Sequence, residues 1–357
     1  MTNAVSVAQS GSNNVSFRNK IINGAMVIDQ RNAGASVSAS GQYTLDRWIT
    51  ATSVASKFTV QQNAGSVTPP TGFATYLGIT SSSAYSVPAG EIYAIGQYIE
   101  GVNFYDLAWG TANAKTVTLS FQVYSSLTGT FGGALQNSAQ NRSYPFSYTV
   151  SSANTWTTVS VTIAGDTSGT WIGATNGVGV RVFFSVGTGS TYSGTANAWA
   201  GSQYYQPTGA VSVVGTNTAT LYITGVQLEA GSTASPFEYR SYGVELALCQ
   251  RYLPAFSGSG LQVAGYAYGT NTGLSTFLFP VPTRVAPTGL TYSNLTHFTI
   301  SNASNGTTTC TSISFDTAGT AGTNVLYGAT TGVTAGTPCR IYLSNASALL
   351  YFTGCEL

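Results

Sequence analysis

The sequence predicts an all-β chain of sandwich-type domains. Three observations predict it: two-residue alternation of apolar and polar side chains, connections made of Gly, Ser, Thr and Asn, and very little helical periodicity. In residues 116–124, Val117, Leu119, Phe121 and Val123 alternate with Thr118, Ser120 and Gln122. In residues 156–163, Val159, Val161 and Ile163 alternate with Thr158, Ser160 and Thr162. In residues 178–186 the inward set is Val178, Val180, Val182, Phe184 and Val186. Such strands belong to antiparallel sheets with one core face, and short strands joined by loops like 125–133 and 187–194 indicate a β-sandwich or jelly roll.

Residues 221–228 carry a phase error. Leu221 and Ile223 share one parity, Val226 and Leu228 the other. The slip falls at Gly225 and predicts a β-bulge there, because the extra residue needs dihedrals that Gly tolerates. Residues 236–240, PFEYR, read as a final strand or extended segment. Residues 244–252 then change period: Val244, Ala247, Leu248 and Arg251 or Tyr252 follow helical spacing up to Pro254. At about nine residues this helix needs something to pack on. Residues 274–280, 340–343 and 349–352 read as strands of a second β unit, with Pro280, Pro282 and Pro287 holding 279–287 to an edge or irregular crossing. The expected domains are an N-terminal extended arm (1–20), a sandwich (21–240), a helical connector (241–254) and a smaller, sandwich-like C-terminal β domain (255–357).

Composition bounds the function. The chain has 357 residues, 12 basic and 11 acidic, for a net charge of +1, and only 6% of residues are charged; an ordinary globular chain has about 25%. No basic field exists to recruit nucleic acid or an anionic membrane. No apolar run is long enough to span a bilayer, and the N-terminus lacks the pattern of a secretory signal, so assembly in a cytoplasm is expected. Low charge threatens solubility and points to a chain locked into an oligomer or particle. Cys249, Cys310, Cys339 and Cys355 form no C-x-x-C pair, and buried thiols are expected. With His297 the only histidine, the spacings fit no zinc pattern and no cofactor is expected.

Several segments resemble those of bacteriophage tail fibre and receptor-binding virion proteins that carry a carbohydrate-binding-module-like jelly roll. They are RNKIINGAMVIDQRNAGASV and YTLDRW near the start, VTLSFQVYSSLTGTF, NRSYPFSYTV and ANTWTTVSVTIAGDTSGTW in the body, the loop containing Trp199, and ITGVQLEAGSTASPFEYRSYGVELALCQRY, followed by FPVPTRVAPT. The resemblance implies a jelly-roll fold for the first domain and a non-enzymatic virion protein of the tail or fibre. It also implies a homotrimer that recognises host cell-surface polysaccharide. Residues 1–20, polar and nearly uncharged until Arg18, read as an extended arm that docks onto other virion proteins by strand addition, the competing reading being a disordered terminus. The alternative is a capsid- or tail-decorating connector that binds no glycan. Related modules often hold calcium near an Asn-Gly pair; here Asn23–Gly24 is followed by Ala25 and Met26, with Asp29 the nearest acid, so no metal is expected.

Two sets of residues are candidates for roles. Asp46, Arg47, Glu229, Glu238 and Arg240 read as a structural charge cluster tying the first and last strands together. A catalytic use of Glu229 with Glu238 finds no other apparatus to support it, so no catalytic residues are expected. A Ser–His–Asp arrangement would have to recruit His297 from the second domain. Tyr192, Trp199, Gln203, Tyr204 and Tyr205 are the glycan-binding candidates, since aromatic planes stack on sugar C–H faces while amides read hydroxyls. Tyr105, Asp106 and Trp109 form a weaker second group. The competing reading has Trp199 plugging the sandwich and the tyrosines lining a subunit contact.

Overall fold

The computed structural model describes residues 17–172, 174–302 and 306–357. Most of the expected N-terminal arm, residues 1–16, lies outside them. The chain forms two compact units that divide between Glu245 and Leu246.

The first unit is a sandwich of two antiparallel sheets. Its strands are β1 (Val37–Ser38), β2 (Ile49–Thr52), β3 (Phe58–Gln62), β4 (Leu77–Ser81), β5 (Ile92–Glu100), β6 (Val117–Ser125), β7 (Gly129–Asn137), β8 (Ser143–Val150), β9 (Thr157–Ile163), β10 (Val178–Thr188), β11 (Ser193–Gly194), β12 (Gln206–Pro207) and β13 (Thr220–Ala230). One sheet runs β1-β3-β4-β13-β6-β9, the other β2-β5-β10-β7-β8. The sheets bury a shared core that includes Trp48, Phe58, Tyr93, Phe121, Phe131 and Phe184. The alternation of residues 116–124 appears as Val117, Leu119, Phe121 and Val123 in that core. Val180, Val182, Phe184 and Val186 also face it, but Val178 is only partly buried. A register irregularity between Val178 and Val180 breaks the parity that the sequence suggests.

The bulge at Gly225 is present and changes the strand's partner. Pairing with β6 jumps from Thr224↔Gln122 to Gln227↔Ser120, and Gly225 has φ 61°. Before the bulge β13 also pairs with β4, through Thr220–Ile223. After it, the opening segment takes over: Val226 N–H donates to Gly24 O at 2.9 Å, Lys20 N–H donates to Leu228 O at 2.8 Å, and the Asn19 amide bridges Val226 O and Leu228 N–H. The extra residue thereby keeps Leu221, Ile223, Val226 and Leu228 all in the core while the backbone switches neighbours.

Residues 236–240 form no strand and join no ladder. The helical period appears as α1 (Tyr242–Gln250), with Glu245 in its first turn. The second unit holds β14 (Ala255–Ser257), β15 (Gln262–Gly269), β16 (Thr272–Leu278), β17 (Gly289–Tyr292), β18 (Phe298–Asn302), β19 (Thr307–Ala318), β20 (Gly322–Ala329), β21 (Pro338–Leu343) and β22 (Leu349–Thr353). Its sandwich-like character takes a particular form: β15-β16-β20-β19-β18-β21 close into a barrel beside the three-stranded sheet β14-β22-β17. Closure leaves no unpaired edge in that ring. The proline-rich residues 279–287 form no strand. The four cysteines are buried thiols with no disulfide among them.

Candidate functional site

The outer face of the second sheet is the candidate site. Because side chains alternate, the residues of β5 and β10 that do not enter the core project outward: Ala94, Gly96 and Tyr98 from β5, Arg181 and Phe183 from β10. Phe183 is an apolar outward residue, so something must cover it. The covering comes from the loop between β10 and β13. Tyr205 packs on Phe183 with centroids 4.9 Å apart, and Tyr192 meets Tyr205 edge-on at 6.1 Å. Gly96 is required beneath, since a Cβ there would lie 2.5 Å from the Phe183 ring and 2.3 Å from Val182 O.

Polar bonds fasten this loop to the sheet. Ser185 Oγ donates to Gln206 Oε1 at 2.7 Å, Gln136 Nε2 donates to Tyr204 O at 2.7 Å, and Ser143 Oγ donates to Ser202 O at 2.6 Å. The loop covers the β8-β7-β10 half of the face, while Ile49, Ala51, Ile92 and Tyr98 on the β2-β5 half stay only partly buried. At the boundary of the two halves, Tyr205 Oη accepts from Gln203 Nε2 at 3.0 Å and Gln140 Nε2 at 3.3 Å. The Arg181 guanidinium carbon lies 5.0 Å from the centre of the Tyr98 ring, a cation–π contact. Burial pushes the Tyr98 and Tyr205 hydroxyls above the ordinary phenol range, so both stay neutral hydrogen-bonding groups near neutral pH.

The glycan-binding candidates thus divide. Tyr192, Gln203, Tyr204 and Tyr205 border this platform, but Trp199 does not join them. It turns past edge strand β8 into an aromatic box with Trp109, Trp171 and Tyr144, at centroid distances of 5.2, 5.2 and 5.0 Å. Its indole N–H donates to Ala164 O at 2.8 Å. Trp199 therefore closes one end of the sandwich. Of the second group, Trp109 belongs to the same box, Asp106 pairs with Lys20 at 2.8 Å, and Tyr105 stands exposed. Sequence reading missed Tyr98, Gln140 and Arg181; the available signal was Phe183, an apolar residue at an outward position, with a lone cation two residues before it.

The charge cluster also divides. Glu229, Glu238 and Arg240 come together at the closing segment. Glu238 accepts from the backbone N–H of Arg18 at 3.2 Å and of Asn19 at 2.9 Å, and pairs with Arg240 at 3.1 Å. Glu229 accepts from Ser235 N–H at 2.8 Å and Oγ at 2.6 Å, and pairs with Arg18 at 3.5 Å. Arg240 also reaches Glu245 at 3.6 Å, and Glu245 accepts the Asn23 N–H. Asp46 and Arg47 sit elsewhere. Asp46 accepts from Gln30 N–H at 2.9 Å and Nε2 at 2.5 Å, while Arg47 donates to Tyr98 O. Burial raises the Asp46 carboxyl above the ordinary aspartate value. The expectation that one cluster ties the first and last strands together therefore holds for Glu229, Glu238 and Arg240, which meet residues 18–19, and not for Asp46 and Arg47.

Two adjoining clefts, of about 210 and 340 Å³, flank Phe73, Phe237 and Tyr239 at this seam. Their charged lining residues Glu238, Arg240 and Glu245 already satisfy one another. His297 shares a bond of 3.0 Å with Ser293 Oγ, but that oxygen also accepts Leu349 N–H at 3.0 Å, which makes it a turn contact.

No family model matches the chain, and no curated protein matches it. Among solved structures it is similar to the enzymatically active domain of bacteriophage CBA120 tailspike protein 4, at 14% identity, 61% of this chain, 22% of that chain and a TM-score of 0.32. It is similar to the N-terminal cellulose-binding domain of Cellulomonas fimi β-1,4-glucanase C, at 13%, 57%, 99% and 0.27. It is also similar to a family 11 carbohydrate-binding module from Clostridium thermocellum in complex with a mixed-linked tetrasaccharide, at 6%, 56%, 98% and 0.27. Similarities this distant carry no conclusion about this chain, whose architecture rests on its own sheets. The chain spans about a fifth of the tailspike domain it matches.

Proposed function

We propose that the chain is a non-enzymatic bacteriophage virion protein of the tail-fibre or receptor-binding type, and that it recognises host-surface glycan on the outer face of its second sheet. The virion assignment, and with it trimeric assembly, rests on the order and spacing of the segments that resemble such proteins, and attachment through residues 1–20 rests on their polar, nearly uncharged sequence. The glycan assignment rests on one observation: a half-open platform in which the partly exposed Tyr98 and Tyr192 supply ring surface beside the buried Tyr205, while Gln140 and Gln203 supply amide groups. Sugars need that combination of flat apolar contact and convergent polar groups. The acids at the closing segment are committed to ion pairs and backbone N–H groups, which favours binding over hydrolysis.

The test is an array of bacterial surface polysaccharides probed with the full chain and with Tyr98→Ala/Tyr192→Ala. Binding by the parent and its loss in a variant of unchanged melting temperature is expected. Absence of binding across the host's own polysaccharides would favour the connector role, and imaging of the particle would then locate the chain on capsid or tail.

A further inference from the structure

We propose that Arg181 makes this platform selective for sugars that carry an oxyanion, as a uronate-type carboxylate or a phosphate. The inference rests on the glycan-binding reading above and narrows its ligand class. It begins with how arginines are used in a chain so poor in charge. Arg142 grips Asp166 with two bonds of 2.7 Å, Arg18 and Arg240 face carboxylates, and Arg284 donates to the carbonyls of Cys355 and Glu356.

Arg181 differs in its partners. Its Nε and Nη1 are buried with no hydrogen-bond partner, as those of Arg47 are, but Arg47 donates through Nη2 to Tyr98 O whereas Arg181 has no carboxylate or carbonyl partner among the described residues. No carboxylate among the described residues lies within ion-pair distance of it. What holds it is the Tyr98 ring, 5.0 Å away, between the aromatic flank of Phe183 and Tyr205 on one side and the uncovered half of the sheet on the other. Nη2 is not among the buried atoms, so it is the donor that a ligand can reach, with Nε and Nη1 buried behind it. It can give a charge-assisted hydrogen bond to an oxygen of a carboxylate or phosphate.

The surroundings strengthen the case. Desolvation keeps the Tyr98 and Tyr205 hydroxyls neutral, so the platform supplies no anion of its own. Gln136 lies directly across from Arg181 in register, spends its N–H on Tyr204 O, and leaves Oε1 buried without a donor. Gln136 is fully buried, so a ligand meets Arg181 through Nη2 and not through this amide.

The experiment prints each polysaccharide in native, carboxyl-reduced and dephosphorylated form and measures affinity for the strongest ligand. The native form is expected to bind about tenfold to a hundredfold more tightly than the neutralised one, the worth of a charge-assisted hydrogen bond. Which treatment weakens binding identifies the oxyanion. Arg181→Gln should bring the ratio close to one while neutral binding and melting temperature persist, and Arg181→Lys should restore part of it. Equal affinity for native and neutralised forms, or a preference that survives Arg181→Gln, overturns the inference and leaves glycan binding standing. Binding to no form at all overturns the glycan reading and the inference together. A purely structural Arg181 would lower the melting temperature without changing the ratio.

Discussion

Replacing Glu238 with Ala tests how the sandwich is closed. The carboxylate accepts two backbone N–H groups of the opening segment, from Arg18 at 3.2 Å and Asn19 at 2.9 Å, and one Arg240 nitrogen at 3.1 Å. Asn19 is 5% exposed, so its N–H would be left without water or partner. Hydrogen bonds to a charged group contribute about 1.5–3 kcal/mol each, and an orphaned buried donor costs about 1–3 kcal/mol. Arg240 keeps Glu245 at 3.6 Å and the Ile21 carbonyl at 3.1 Å, which limits its share of the loss. The expected destabilisation is about 3–5 kcal/mol, a large part of a domain's total of about 5–15 kcal/mol. Glu238→Gln keeps one acceptor and should lose about half as much. All five tryptophans, Trp48, Trp109, Trp156, Trp171 and Trp199, lie in the first unit. Tryptophan fluorescence during urea unfolding of the full chain therefore reports that unit alone. Amide exchange at Asn19 should accelerate in parallel. A loss below about 1 kcal/mol, or equal losses for Ala and Gln, would refute the idea that this carboxylate clasps the opening segment.

Three further outcomes are expected. Gly225→Ala forces a Cβ into a φ of 61° and to 2.6 Å from the Phe73 ring, so it should cost about 2–3 kcal/mol in the same urea experiment; a neutral result would mean the bulge can relocate. Trp199→Ala empties the box formed by Trp109, Trp171 and Tyr144 and should cost about 3 kcal/mol, while glycan affinity of the folded protein stays unchanged; a selective affinity loss would return Trp199 to the binding site. Asp46 has a folded-state carboxyl raised above its ordinary 3.8 by burial, so the folded chain holds that proton more tightly than the unfolded one. Its stabilisation is complete below about pH 4 and is lost as pH rises through the raised folded value. Asp46→Asn should accordingly gain stability relative to the parent from pH 3.5 to 7 in urea titrations, and a constant difference would contradict the sign.

The architecture was legible where physics is local. Two-residue alternation located β6, β9 and β10 because one face of each strand meets the core. The parity slip at Gly225 located the bulge because four apolar residues on mixed parities cannot all be buried by a regular strand. Barrel closure in the second unit was not legible, since it depends on β15 meeting β21 across about seventy residues and no pattern within either strand encodes that pairing. The aromatic loop was recognised as a unit because its residues are consecutive. Folding separates them by destination: Trp199, partly buried, goes around the edge of β8 to pack against the end of the core, and Tyr205 goes over β10 onto Phe183. Chain neighbours on an irregular loop carry no periodicity from which to read that divergence.

Charge scarcity, seen first as a matter of composition, resolves into two different uses. Glu229, Glu238, Glu245, Arg18 and Arg240 pair with one another and with the backbone N–H groups of residues 18, 19 and 23, so they hold the first and last segments of the sandwich together. Their charges are cancelled where they stand, and the field they project is small. Arg181 is left uncancelled on a sheet face otherwise made of rings, amides and small residues. With so little competing charge on the chain, a single unpaired guanidinium can dominate the local potential, and its partial burial makes that potential less screened than at an open surface. A charge-poor protein can therefore discriminate between charged and neutral sugars with one residue, provided the rest of the face contributes contact without sign.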